Sequence, residues 1–233
     1  MTVALILAGG VGTRVGADIP KQYIEVCGKP IIIYCLEQLT GNADIDAIQI
    51  VADSCWREKI LAWLSEYKVD TKFRGFSLPG ENRQLSIFHG LEDIRKYAAD
   101  EDYVFIHDAA RPLLTEKMIT DCINAVKGHD GVLPVLAMKD TVYLSVDGKC
   151  VSSLVNRSQI YAGQAPEVFS LGKYFEANKR LLPTDILKIN GSTEPAVMAG
   201  MDIAMIPGDE RNFKITTKED LERFRQMMER HDY

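Results

Sequence analysis

The beginning of this chain constrains it most. Thr2 to Ala8 is an apolar run long enough for one buried strand. It opens directly into Gly9-Gly10-Val11-Gly12-Thr13-Arg14-Val15-Gly16, and Pro20-Lys21 follow. Glycines let the backbone turn sharply and approach a ligand closely, and successive N–H groups in such a turn form a concavity for phosphate oxygens. Arg14 and Lys21 put cations inside and just after that turn, enough to hold a triphosphate and balance a departing pyrophosphate. Two familiar glycine motifs fail. A dinucleotide fingerprint needs G-x-G-x-x-G, and after Gly10 and Gly12 the next glycine, Gly16, comes one position late. Walker A needs Lys-Ser or Lys-Thr after its glycines, and neither is present. The bland reading is a tight strand-to-helix connection. Arg14, Pro20 and Lys21 tip the balance to nucleotide binding.

Strand and helix patterns then alternate. Ile31 to Leu39 reads as a helix with Pro30 at its first turn and Gly41 beyond its end. Ala47–Ala52 is a strand. Asp53 or Ser54 caps a helix over 55–66, whose Trp56 and Trp63 read as packing rather than as a base-stacking platform. A short strand is weakly indicated in 71–78, a helix over 81–98, a strand over 103–106, a helix over 116–127 and a strand over 131–136. That rhythm predicts an α/β fold, a doubly wound and mostly parallel sheet, with ligands at the carboxyl ends of the strands. Residues 139–168 break it. Asp140–Leu144 and Cys150–Val155 flank an Asp147-Gly148 turn, so the segment is expected to be a β-arm. Such a hairpin either joins two subunits or folds back on its own domain. A late strand is expected over 202–206. Thr216 and Glu219 have the spacing of a capping box before a last helix, with Leu221, Phe224 and Met228 on one side. Residues 1–233 therefore read as a single domain with 139–168 as its arm.

Composition narrows the function. A net charge of −6 argues against a general nucleic-acid or anionic-membrane surface, so substrate-binding cations must be gathered locally. Five scattered cysteines with no C-x-x-C point to reduced thiols in a cytoplasmic protein, not to a disulfide framework or zinc site. No run approaches a membrane span, and the strand-like start lacks the basic lead of a signal peptide.

Three places carry chemistry. Asp108, at the end of a buried strand, is placed to hold Mg²⁺ beside a triphosphate; alternatively it caps the turn before Pro112 or pairs with Arg111. His107 reads as a core or supporting histidine. In Pro79-Gly80-Glu81-Asn82-Arg83-Gln84-Leu85-Ser86, a helix start and a hydroxyl could read the amide edge of a base, or Asn82 simply caps the helix. Lys214 lies where it could reach a phosphate, although alone it is indistinguishable from a surface lysine.

With these segments in hand, the chain resembles the cytidylyltransferases that activate small polyol phosphates, the methylerythritol-phosphate and ribitol-5-phosphate enzymes. The resemblance rests on Leu7-Ala8-Gly9-Gly10-x-Gly12-x-Arg14, Pro20-Lys21-Gln22, the Gly80/Arg83/Ser86 turn with Gly90-Leu91, and His107-Asp108-Ala109-Ala110-Arg111-Pro112. It continues through Asp140-Thr141, Asn156-Arg157, Gly163-Gln164-x-Pro166 and Asn212-x-Lys214-Ile215-Thr216. It implies a nucleotidyltransferase fold and the reaction CTP + polyol phosphate → CDP-polyol + pyrophosphate. By resemblance, Arg14, Lys21 and Lys214 are catalytic. Ala8, Gly9, Gly10, Gly12, Gly80, Arg83, Ser86 and Ala109 bind CTP. Asp108, Thr141, Arg157 and Thr193 bind the acceptor, Asp108 also holding Mg²⁺. The arm implies a homodimer in which Thr141 and the partner's Arg157 grip the acceptor phosphate.

The departures concern that acceptor. Where the family usually has Gln-Thr-Pro-Gln, this chain has Gln164-Ala165-Pro166-Glu167, losing a hydroxyl and gaining a negative charge. Thr184-Asp185 and Thr193-Glu194 both match a family Thr-Asp pair, and the spacing to Lys214 favours Thr193. Ala8-Gly9-Gly10 leans to the ribitol branch, and His107 to Pro112 to the methylerythritol branch. The expected acceptor is ribitol 5-phosphate or another alditol phosphate, with methylerythritol 4-phosphate the alternative. A sugar-1-phosphate nucleotidyltransferase and a non-catalytic nucleotide-binding regulator are the rival readings.

Overall fold

Residues 1–10 and 19–230 are described by the structure, a computed structural model. Its first strand, β1 (Thr2–Leu7), is covered on both faces. Ala4 and Ile6 enter one apolar cluster and Val3 and Leu5 another, as the two-residue period of a strand requires. A strand buried on both faces reads as a continuous apolar run, which is what made it legible.

β2 (Glu25–Val26) and β3 (Lys29–Pro30) form a small ribbon before α1 (Ile31–Gly41). Then come β4 (Ala47–Val51), α2 (Ser54–Glu66), β5 (Phe73–Ser77), α3 (Arg83–Ile94), β6 (Tyr103–Asp108), α4 (Glu116–Ala125) and β7 (Gly131–Ala137). After the hairpin of β8 (Val142–Leu144) and β9 (Ser153–Val155) follow β10 (Tyr161–Gly163), β11 (Glu167–Ser170), α5 (Leu171–Lys179), α6 (Glu194–Met198), β12 (Ile203–Pro207) and α7 (Lys218–Arg230).

The central sheet has eight strands in the order β10-β7-β11-β6-β1-β4-β5, with β12 added to β7. β4 and β6 run parallel to β1, β5 parallel to β4, and β12 parallel to β7; β10 and β11 are antiparallel. Ile32, Leu36, Ile60, Leu64 and Ile119 cover one face from α1, α2 and α4, while Ile87, Leu91, Tyr174 and Phe175 cover the other from α3 and α5. The expected doubly wound, mostly parallel sheet is what forms.

Two expectations need correction. The arm is shorter than 139–168, because Tyr161–Gly163 and Glu167–Ser170 join the main sheet, β11 lying between β6 and β7. What stands apart is the β8–β9 hairpin, whose strands pair only with each other among the described residues. Its turn matches the Asp-Gly reading: Gly148 has φ +68°, and the Asp147 carboxylate accepts from the N–H groups of Lys149 and Cys150. The capping box lies one residue later than its sequence signature. Thr217 Oγ1 accepts from Asp220 N–H, and the Asp220 carboxylate accepts from the N–H groups of Thr216 and Thr217. Aspartate is the shorter side chain, and it closes the box that Glu219 was expected to close.

The last helix positions the site. Leu221 and Phe224 are buried in a third cluster with Ile24, Tyr34, Leu113 and Ile215, the Phe224 ring meeting Tyr34 edge-on at 5.1 Å. Ile215 N–H donates to the Ala110 carbonyl at 2.9 Å and Arg111 Nη1 to the Asn212 carbonyl at 2.6 Å. The segment carrying Lys214 is thereby fastened beside the end of β6.

Candidate active site

Leu7 of β1 is in register with Asp108 of β6, so the glycine turn and Asp108 leave the sheet side by side at its carboxyl edge. β4 and β5 end at the same edge and lead to Asp53 and to the 78–82 turn. Between them lies a cleft of about 470 Å³, lined by Gly9, Gly10, Lys21, Arg83, Asp108 and Lys214 among others.

The glycine turn is braced from behind. Gln22 Nε2 donates to the carbonyls of Ala8 (2.6 Å) and Gly10 (2.8 Å), and the Tyr23 hydroxyl donates to Ala8 at 2.9 Å. The C=O and N–H of a trans peptide point opposite ways, so holding the Ala8 carbonyl turns the Gly9 N–H away from Gln22. Tyr23 is itself stacked on Trp56 at 4.4 Å and tilted against Trp63 at 6.0 Å. The tryptophans thus pack, as expected, and what they pack is the residue that fixes the glycine turn. Gly9 also closes on the neighbouring turn, where a Cβ would meet Pro79 Cβ at 2.7 Å. Among the described residues nothing lies within 4 Å of a Cβ built at Gly10. Gly12 and Arg14 lie outside the described residues.

The second wall is the turn into α3. Asn82 is its cap, accepting from Leu85 N–H at 2.8 Å. Ser86 Oγ donates to the Asn82 carbonyl (2.8 Å) and accepts from Gly80 N–H (2.9 Å). The hydroxyl expected to read a base therefore shapes this turn, with one lone pair left over. A side chain at Gly80 would strike Leu85 at 2.6 Å.

Asp108 organises the cations. Arg83 Nε is 3.1 Å from Oδ1, Lys214 Nζ is 3.1 Å from Oδ2 and Arg111 Nε is 3.6 Å from Oδ2. Burial alone would raise the Asp108 pKa, but the charges of Arg83, Lys214 and Arg111 hold it far below the usual carboxylate range. The pKa of the adjacent His107 is lowered too, but by burial, to about 4, so it is neutral, with Nε2 against the Arg111 carbonyl at 3.0 Å.

The expected Mg²⁺ role of Asp108 meets a poor donor set. Both of its oxygens already serve cations, and no three His, Cys, Asp or Glu side chains converge on a metal position among the described residues. Mg²⁺ usually keeps several waters and is held through substrate phosphates as much as by protein.

Other expected residues are distributed less simply. Lys21 lines the cleft and is largely buried. Ala109 is fully buried, its N–H bonded to the Leu7 carbonyl at 3.1 Å, and it is Ala110 that reaches the cleft. Thr193 donates to Glu167 Oε1 at 3.1 Å. Thr141 and Arg157 are exposed in and beside the hairpin, with Arg157 Nη1 on the Lys139 carbonyl at 2.6 Å, and neither lines this chain's cleft. Gln22 enters the resemblance without a role of its own, and the bracing role of Tyr23 shows only in the structure. A polar Gln between Pro20 and apolar neighbours was the available signal. Glu167 stood out only as a departure; it is buried on β11, and burial raises its pKa against the opposing pull of Arg83 and of the Ser192 hydroxyl.

A cation-lined, glycine-walled cleft at the strand ends of a doubly wound sheet is the kind of site in which a nucleotidyltransferase can hold a nucleoside triphosphate. The particular kind follows from its relatives. The chain belongs to the IspD family, described as 2-C-methyl-D-erythritol 4-phosphate cytidylyltransferase, whose family model matches residues 2–230. A ribitol-5-phosphate cytidylyltransferase of Streptococcus agalactiae serotype III (strain NEM316) is 32% identical over 226 residues, 97% of this chain and 94% of its own length. A 2-C-methyl-D-erythritol 4-phosphate cytidylyltransferase of Clostridium beijerinckii is 33% identical over 228 residues, 95% of each. The crystal structure of the 4-diphosphocytidyl-2C-methyl-D-erythritol synthase of Anaerococcus prevotii matches with a TM-score of 0.83 at 26% identity, over 98% of this chain and 96% of that one. The protein is accordingly a cytidylyltransferase. No helix among the described residues is long and apolar enough to cross a membrane.

Proposed function

We propose that this enzyme transfers the cytidylyl group of CTP to a small alditol phosphate, with ribitol 5-phosphate the first acceptor to test. The reading is carried by the convergence of Lys21, Arg83 and Lys214 on one cleft around Asp108. An acceptor phosphate oxygen attacks the α-phosphorus in line. A new P–O bond forms, the bond to the bridging oxygen of the β-phosphate breaks, and its electron pair leaves on pyrophosphate. That attacking oxygen is ionised near neutral pH, so no general base is needed and catalysis is positioning and charge stabilisation. Lys21 and Arg14 neutralise the phosphates and the leaving group, Lys214 steadies the α-phosphate as charge builds, and Asp108 keeps Lys214 and Arg83 aimed. Mg²⁺ enters as part of the substrate Mg·CTP.

The rest of the reading concerns assembly. Tyr143, Leu144, Val146, Val151 and Leu154 are exposed on and around the hairpin, apolar surface that a second copy would cover in a homodimer. Thr141 of one subunit and the partner's Arg157 would then complete the acceptor end of a cleft. All five cysteines are unpaired, in keeping with a cytoplasmic enzyme.

Methylerythritol 4-phosphate is the second acceptor, favoured by the family model that matches the chain. Separate assays with each acceptor at equal concentration, followed by pyrophosphate release, decide. Preference for ribitol 5-phosphate upholds the proposal; turnover of methylerythritol 4-phosphate alone reverses it.

A further inference from the structure

Lys214 is carried by a segment with no helix or strand of its own, between the end of β12 at Pro207 and the start of α7 at Lys218. Asp108 holds the Nζ end of its side chain at 3.1 Å. The backbone end has no repeating ladder of hydrogen bonds to fix it, so its polar groups need partners from elsewhere. Two side-chain amides supply them. β10 and β12 flank β7, with Gly163 and Pro207 both in register with Val135. Just beyond that register the Gln164 side chain pairs with both backbone groups of Asp209. Its Nε2 donates to the Asp209 carbonyl at 3.0 Å, and its Oε1 accepts from the Asp209 N–H at 3.1 Å. Gly208 leaves room for this pairing, since a Cβ there would meet Gln164 Oε1 at 2.5 Å. In the opposite direction, Asn212 Nδ2 donates to the Ala165 carbonyl at 2.7 Å and to Met118 Sδ of α4 at 3.2 Å. Both amides are buried, Asn212 completely. The Asn212 backbone is tied as well: its carbonyl accepts from Arg111 Nη1 at 2.6 Å, and its N–H donates to the Asp209 carbonyl at 3.0 Å.

An apolar side chain could fill the space of either amide. What an amide adds is direction, because it carries two donor protons on one side and an acceptor on the other. We propose that Gln164 and Asn212 are positioning residues: their crossed amides fix the 209–212 backbone to the turn at 164–165, and so set where Lys214 places its ammonium in the cleft. The inference rests on the role given to Lys214 above and adds how that lysine is held. Asp108 aims its tip, and the two amides fix its base, Asn212 lying two residues before it. The base matters because a lysine ammonium is a point charge on a flexible four-carbon stem. Such a charge lowers the barrier only when it already stands where negative charge develops.

The test is a double-mutant cycle. Gln164→Met and Asn212→Leu keep the volume and remove the amide, and each is made alone and together with Lys214→Ala. Pyrophosphate release is followed with CTP and whichever of ribitol 5-phosphate and methylerythritol 4-phosphate the wild type turns over faster. Alone, each substitution should lower kcat by about tenfold or more, towards the roughly hundredfold that a 1 Å misplacement can cost, with the KM for CTP within about twofold of wild type. Combined with Lys214→Ala, the same substitution should cost less than about twofold further, because the group it acts through is gone. Equal losses in the two backgrounds overturn the inference, since independent effects add. So does near-normal kcat in both single variants, or a defect confined to a raised KM for CTP, which marks a merely structural role. If Asn212→Leu does not fold, the Gln164→Met cycle decides alone. Near-normal turnover by Lys214→Ala overturns the role of the lysine itself, and is distinguishable because no amide variant is needed to see it.

Discussion

Replacing Asp108 by Asn tests the idea that this carboxylate is the cleft's cation organiser. The variant keeps the shape but removes one negative charge from beside Arg83 and Lys214, both at 3.1 Å, and Arg111 at 3.6 Å. It also turns an amide N–H₂ towards at least one of these donors. Removing one partner of a buried ion pair costs about 3–5 kcal/mol, because the remaining charge is left uncompensated. For a chain of this size each kcal/mol moves the melting temperature by about 2–4 °C, so the ligand-free variant should melt roughly 6–20 °C lower. Pyrophosphate supplies the missing negative charge, so it should raise the variant's melting temperature more than the wild type's. Turnover should still fall by ~10²–10³, since Lys214 and Arg83 are no longer held in place. Thermal unfolding with and without pyrophosphate reads both effects. A melting temperature within 2 °C of wild type, roughly the smallest shift that one kcal/mol gives, would refute the reasoning. So would a pyrophosphate shift no larger than the wild type's.

Other expectations follow from the same geometry. Gln22→Ala leaves the Ala8 carbonyl with one partner fewer and the Gly10 carbonyl without its amide, which should cost about 1–3 kcal/mol and raise the KM for CTP roughly tenfold. Lys21→Ala and Lys214→Ala should each lower kcat/KM by ~10²–10³ with the fold intact by circular dichroism, and near-normal activity in both would sink their roles. The pH dependence of stability should come from His107, not from Asp108. With its folded pKa lowered to about 4, His107 stays neutral while the unfolded chain takes up the proton near pH 6.5. Stability should fall by about 3 kcal/mol between pH 7 and pH 4 and level off below, and His107→Gln should lack that slope in urea titrations. The Asp108 contribution is present above about pH 4, the ordinary Asp value, and is lost only in stronger acid, as pH falls through its depressed folded value.

What the sequence showed depended on how local each signal was. β1, β4 and β6 are apolar runs buried on two faces, so composition over a few residues identifies them. Asn82 and Asp53 cap the helices that follow them, a signal within one turn. β11 was missed because Glu167-Val168-Phe169-Ser170 is short, starts with a carboxylate and is stabilised by strands from elsewhere in the chain. The capping box slipped by one residue because Thr216-Thr217 and Glu219-Asp220 offer two equivalent spacings, which only the backbone separates. At the site, Gly9, Lys21 and Asp108 were legible as residue types after buried strands. The sequence could not show that Lys214, Arg83 and Arg111 share one carboxylate, since that pairing is made by the docking of α7 and the end of β6. Nor could it show that Glu167 turns inward to Ser192 and Thr193.

The most direct test of the account is the product itself. The purified enzyme, Mg²⁺ and ribitol 5-phosphate are incubated with each of the four ribonucleoside triphosphates and followed by ³¹P NMR. The account predicts, with CTP alone, loss of the acceptor's phosphomonoester signal and growth of paired diphosphate-diester signals together with equimolar pyrophosphate. Transfer from UTP, ATP or GTP as readily as from CTP would contradict it, as would pyrophosphate formed with CMP and unaltered acceptor.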